Sequence, residues 1–109
     1  MKAIYRSPAG RQQILQQYEQ ILSLWPPPNT FHQIDTGFGK TFVIESGNNT
    51  GPPLVLLHGS ASNSAMWLGD AMLLGQTHHI YAVDIIGEPG KSSEFRPVLK
   101  KGVYEEEKI

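Results

Sequence analysis

A chain of 109 residues in which 39% are hydrophobic is sized for one domain with one modest core, and that apolar share argues against a disordered chain. Nine basic against ten acidic residues leave a formal charge of -1, so no summed positive field is on hand to hold a nucleic-acid backbone or an anionic membrane surface. With no cysteine, disulfides, thiolate metal sites and a cysteine nucleophile are excluded together, and the compartment stays open with the cytoplasm favoured.

Met1 to Gly10 contains Lys2 and Arg6 but no apolar run of the roughly 7 to 15 residues that a secretory signal needs. No stretch approaches the ~20 apolar residues of a membrane span, so the chain reads as soluble. Asn48-Asn49-Thr50 fits a glycosylation sequon by chance.

Ser7 followed by Pro8 marks a helix start, since the serine can cap a free N–H and proline at the first helical position loses nothing. Ile14, Tyr18, Ile21, Leu22 and Trp25 then recur as one helical stripe, which Pro26-Pro27-Pro28 ends. Thr30 to Thr36 and Lys40 to Ser46 are short extended runs joined by Gly37-Phe38-Gly39, which predicts a hairpin. After a polar turn over residues 47–53, Leu54-Val55-Leu56-Leu57 lacks polar alternation and predicts a strand buried on both faces. A helical segment from about Ser64 to Leu74 follows, with Trp67, Ala71 and Leu74 on one face and Gly75 as its stop. His79 to Asp84 is a second buried strand, so strand, helix and strand form a right-handed crossover in a parallel sheet. From Glu94 onward periodicity fades, and Glu105-Glu106-Glu107-Lys108 reads as an exposed helix start or a frayed tail.

Ligands of such sheets sit beyond the carboxyl ends of the strands, which directs attention to the residues after Leu57 and after Val83. Leu57 leads into His58-Gly59-Ser60, where Gly59 permits a backbone turn with N–H groups aimed at one point, able to hold a developing oxyanion. His58 is expected to fix this loop through its ring and not to act as a base. Asp84 is expected to stabilise its own turn. His78 and His79 are adjacent in a strand, point to opposite faces and make a poor metal pair, and no cofactor or metal site is expected.

The strand ending in His58-Gly59, the loop and helix through Trp67, and the segment Asp84-Ile85-Ile86-Gly87-Glu88-Pro89-Gly90-Lys91-Ser92 together resemble the α/β-hydrolase family. The resemblance spans Asn29 to Ser93, and the last segment is one residue longer between its glycines than the family's Asp-x-x-Gly-x-Gly-x-Ser turn. It implies an α/β fold, here its N-terminal portion: an N-terminal helix, a β-hairpin, then strand, helix and strand of a mostly parallel sheet. Residues 1–28 would form the amphipathic helix and its proline stop, 29–93 the partial hydrolase domain, and 94–109 a tail in which a next helix could begin. The resemblance also gives Ser60 the backbone N–H that forms half of an oxyanion hole, with His58, Gly59, Trp67, Asp84, Gly87, Gly90 and Ser92 as structural parts of the motif.

The chain contains no Gly-x-Ser-x-Gly, and the family's acid and His lie beyond that turn. Ser60, Ser62 and Ser64 stand outside any such turn. An oxyanion donor without nucleophile and base offers no covalent route, so the sequence reads as a fragment of a longer hydrolase or a truncated gene product, inactive alone. Its substrate would be a small molecule, an ester or related acyl compound by resemblance, and only in a complete enzyme.

Two other readings compete. Gly87-Glu88-Pro89-Gly90-Lys91-Ser92 follows a buried strand like a nucleotide-binding loop, yet the Walker pattern needs a glycine where Ile85 stands, and Pro97 and Gly102 interrupt any following helix. Alternatively the chain is a non-catalytic interaction module whose uncovered strand edge, at Leu54 to Leu57, pairs with another chain or with itself.

Overall fold

A computed structural model describes residues 4–94, 97–100 and 103–106. Helix α1 spans Pro8–Leu22 and begins as the sequence predicts: the Ser7 hydroxyl accepts from the Gly10 N–H at 3.0 Å, with proline in the first turn. It ends at Ser23, ahead of the prolines, and its stripe delivers Tyr18, Leu22 and then Trp25 into the core while Ile14 stays exposed. Burying each of those three contributes about 2 kcal/mol. The Trp25 indole N–H donates to Ser46 Oγ at 3.1 Å, so the aromatic packs without leaving its polar atom unpaired.

Strands β1 (Asn29–Thr36) and β2 (Gly39–Gly47) form the expected antiparallel hairpin. β3 (Pro53–Leu57) and β4 (His79–Val83) pair in parallel, Leu54 opposite Ile80 and Leu57 opposite Val83. Between them lie a 3₁₀ turn at Ser64–Trp67, capped by the Asn63 side chain, and helix α2 at Leu68–Leu74. β2 also pairs antiparallel with β4, giving a mixed four-stranded sheet in the order β1-β2-β4-β3. Phe42 and Ile44 of β2, Ile80 and Ala82 of β4 and Leu56 of β3 share one face with Tyr18, Leu22, Trp25 and Ala71, so α1 and α2 cover the same side of the sheet.

Two expectations are corrected. β3 is not buried on both faces: Leu56 is buried, but Val55 and Leu57 remain 57% and 59% exposed. They point away from both helices, and β3 is the edge strand. Residues 105–108 are expected to be a helix start or a frayed tail, and the helix start gives way over Glu105 and Glu106 to a strand: Val103–Glu106 forms β6, antiparallel to β5 at Pro97–Lys100. Val98, Val103 and Tyr104 are β-formers, and their pairing outweighs the helix preference of the glutamates. Glu107 and Lys108 lie outside the described residues.

The uncovered face carries a polar cluster. Glu45 of β2 accepts from His32 Nε2 of β1 at 2.8 Å and from His79 Nε2 of β4 at 2.6 Å. Those hydrogen bonds, His32's foremost, hold the Glu45 carboxyl below its ordinary value. A carboxyl depressed on folding adds stability above its unfolded pKa and loses it as pH falls through the folded one. Glu45→Gln should therefore melt below the parent at neutral and mildly acid pH, and the gap should close as pH drops below about 4.3. Thermal melts across that range check this; a gap independent of pH would mean that Glu45 acts by packing and not by charge.

Candidate active site

Two loops meet at the carboxyl ends of β3 and β4. The first, residues 58–63, leaves β3; the second, 84–92, leaves β4, and the parallel register places their starts side by side. Ile85 N–H donates to His58 Nε2 at 2.9 Å, Asn63 Nδ2 donates to the Pro89 carbonyl at 2.8 Å, and Ser64 N–H donates to Asp84 Oδ1 at 2.9 Å. The loops are thus laced into one unit.

Asp84 anchors the second loop and is fully buried. Its carboxylate accepts from the Tyr18 hydroxyl, 2.9 Å from both oxygens, and from the Ser64 and Lys91 N–H groups at 2.9 Å. Burial first, then the Asp84 charge, pushes the Tyr18 hydroxyl well above the ordinary tyrosine range, so it stays a donor. Ser92 Oγ donates to the Asp84 carbonyl at 2.6 Å and accepts from the Phe42 N–H at 2.8 Å, which ties the loop to β2. Gly90 is required by contact, because a Cβ there would lie 2.6 Å from Asp84 Oδ2. Gly87 is required by its φ of 84°.

His58 is buried, and both ring nitrogens are engaged. Because Nε2 accepts from Ile85, the proton sits on Nδ1, which donates to the Gly59 carbonyl at 2.8 Å. That carbonyl belongs to the peptide whose other end is the Ser60 N–H. Fixing the carbonyl fixes the N–H, which has no partner among the described residues and lies beyond the strand end.

The left-handed residue of the loop is not Gly59. Ala61 has a φ of 58°, and the space around a Gly59 Cβ is open. Ala61 N–H donates to Glu88 Oε2 at 2.8 Å. Glu88 was not among the residues that the sequence singled out; the extra length between Gly87 and Gly90 was the available signal. Trp67 sits in the 3₁₀ turn and packs against the core, away from these polar contacts.

The structure brings no histidine to a serine among the described residues. His32 and His79 face Glu45, His78 Nδ1 lies 2.7 Å from Thr77 Oγ1, and His58 is committed as above. Ser64 is fully buried, whereas Ser60 is exposed. No group of three or more His, Cys, Asp or Glu among the described residues is arranged to hold a metal, and no helix there is long and apolar enough to cross a membrane. In the glycine-rich segment Gly87 N–H donates to Ser93 O, Glu88 N–H to Ile85 O and Lys91 N–H to Asp84. A phosphate would find those amides taken, the Lys91 amide by the Asp84 carboxylate.

No family model matches the chain. It is 46% identical over 77 residues to Carboxylesterase YbfK of Bacillus subtilis (strain 168), which covers 71% of this chain and 26% of the relative. It is 47% identical over 77 residues, with the same two coverages, to an uncharacterized carboxylesterase, nap, of the same organism. The crystal structure of naproxen esterase (carboxylesterase NP) from Bacillus subtilis matches with a TM-score of 0.69 at 44% identity, over 79% of this chain and 30% of that one. The chain thus spans about a quarter of the length of the curated relatives it matches. Sequence identity and structural match agree: the chain belongs to the α/β-hydrolase family and carries the N-terminal portion of its fold.

Proposed function

We propose that the chain supplies the oxyanion loop of a carboxylesterase-type hydrolase acting on small ester or related acyl substrates, and that it is inactive without the rest of the fold. The observation that carries this reading is the Ser60 N–H, without a partner among the described residues and held beyond β3 by the His58 bond to the Gly59 carbonyl. When a nucleophile attacks an ester carbonyl, negative charge grows on the oxygen, and a fixed N–H stabilises it without reorganisation. The His58 bond also polarises the peptide, making its N–H a better donor. Nucleophile, acid and base would come from residues equivalent to the remainder of the relatives. With its ring nitrogens engaged, His58 cannot take the nucleophile's proton.

Two measurements test the proposal. The chain alone should not raise nitrophenyl acetate hydrolysis above the background of surface nucleophiles, since a lone donor leaves little beyond binding effects. Saturable turnover abolished by Ser60→Ala would overturn it. Conversely, exchanging the matching N-terminal quarter of Carboxylesterase YbfK for this chain should give a hydrolase, in which Ser60→Ala changes kcat by less than about threefold because the donor is backbone. A folded chimera without turnover would refute the assignment.

The exposed edge of β3 favours a second reading, in which the chain binds another polypeptide that completes its sheet. Copurification of a stoichiometric second chain would distinguish it.

A further inference from the structure

We infer that Glu88 is a positioning residue for the oxyanion loop, acting through the Ala61 amide. The inference rests on the reading of Ser60 as the oxyanion donor. Ser60 lies between two clamped peptides: His58 holds the carbonyl of Gly59 on one side, and Glu88 Oε2 takes the N–H of Ala61 at 2.8 Å on the other. The Ser60 N–H, between those two bonds along the chain, has no partner among the described residues.

Ala61 shows why a second clamp is needed. Its φ of 58° lies in the left-handed region, where an L side chain crowds its own backbone and glycine is the ordinary occupant. Such a conformation persists when the surroundings over-determine it. A charge-assisted hydrogen bond from a carboxylate is the right kind of support, because it is stronger than one between neutral groups.

Glu88 is itself held in place. Gly87, at a φ of 84°, is tied by its N–H to the Ser93 carbonyl, and the Pro89 carbonyl accepts from Asn63 Nδ2. The side chain therefore projects from a turn pinned on both flanks. The added length between Gly87 and Gly90, which departs from the shorter family turn, is where this carboxylate is carried. Glu88 reaches no reacting atom; it acts on the donor by fixing the peptide that follows it.

Amide-resolved NMR on the full 109-residue chain tests this, comparing the parent with Glu88→Ala, Glu88→Gln and the double variant Glu88→Ala with Ala61→Gly. In the parent, Ala61 should show a left-handed coupling constant and a protected amide. Glu88→Ala should speed exchange of the Ala61 amide about tenfold or more and shift the Ser60 amide resonance, with the core resonances unmoved. Glu88→Gln retains an oxygen acceptor and should stay within about threefold of the parent. Adding Ala61→Gly to Glu88→Ala should return the Ser60 resonance toward its parent position, since glycine holds a left-handed φ without support. Ser60 and Ala61 amides indifferent to Glu88→Ala, or equal effects of Ala and Gln, would overturn the inference. Hydrolysis by the YbfK chimera tests the Ser60 reading separately, so a loop that answers to Glu88 in a chimera without turnover sets the two failures apart.

Discussion

Replacing Asp84 by alanine is expected to cost about 3 to 5 kcal/mol, much of the stability of a domain this size. The carboxylate, itself fully buried, accepts from the Tyr18 hydroxyl and the Ser64 N–H in buried contacts and from the Lys91 N–H in a part-buried one. Removing it orphans three donors at once, and each of the two buried ones, the Tyr18 hydroxyl and the Ser64 N–H, costs about 1 to 3 kcal/mol when left unpaired. It also releases three elements from one another, since Tyr18 belongs to α1, Ser64 opens the crossover and Lys91 belongs to the loop after β4. Asp84→Asn keeps the shape but turns an NH₂ toward one of those donors, so about half the loss is expected. Tyr18→Phe removes a single donor to a charged group, for about 1.5 to 3 kcal/mol. Urea unfolding followed by far-UV circular dichroism should rank them Asp84→Ala worst, then the other two. A Asp84→Ala chain melting within a few degrees of the parent would mean that water or a shifted side chain replaces the carboxylate.

That network explains which parts of the molecule could be read from the sequence. The cap at Ser7, the stripe at Tyr18, Leu22 and Trp25, the hairpin and the crossover all follow from local periodicity and turn chemistry, and each appears within a few residues of its expected place. His58 and Asp84 were legible as loop-fixing residues because a polar side chain at a buried strand end must find partners nearby. Glu88 was not legible as a contact, because its partner is a backbone amide 27 residues away, and the added length between Gly87 and Gly90 marks the segment without naming that partner. Nor was the left-handed turn at Ala61, since glycine is the signal for that conformation and the glycine stands two residues earlier. The exposure of Val55 and Leu57 escaped for a different reason: an unbroken apolar run says that both faces suit burial, not that both are covered. At the C-terminal end, glutamates suggested a helix where pairing between two short segments prevails.

The same strand carries the remaining large effect, which is self-association. β3 lies at the end of the sheet order, so one side of its backbone has no neighbouring strand among the described residues, and β5 and β6 pair only with each other. Its outward side chains, Val55 and Leu57, are more than half exposed, and no residue from Pro52 to Leu57 is charged. An apolar, uncharged edge is a template for another chain, and natural edges are normally blunted by lysine, a bulge or a covering segment. Covering Val55 and Leu57 would contribute on the order of 3 kcal/mol per chain, while added backbone hydrogen bonds fix the register. The chain should therefore sediment as a dimer or larger species at tens of micromolar, with β3 at the contact. Val55→Lys with Leu57→Lys should convert it to a monomer while shifting the melting temperature little, since both side chains are already in water and the buried Leu56 is untouched. Should the parent sediment as a cooperatively melting monomer, the edge must be satisfied within the chain, and the lysine pair would then lower stability without changing the sedimentation coefficient. An assembly that survives both lysines would instead place the contact elsewhere, with the exposed Met72 and Leu73 of α2 the next residues to charge.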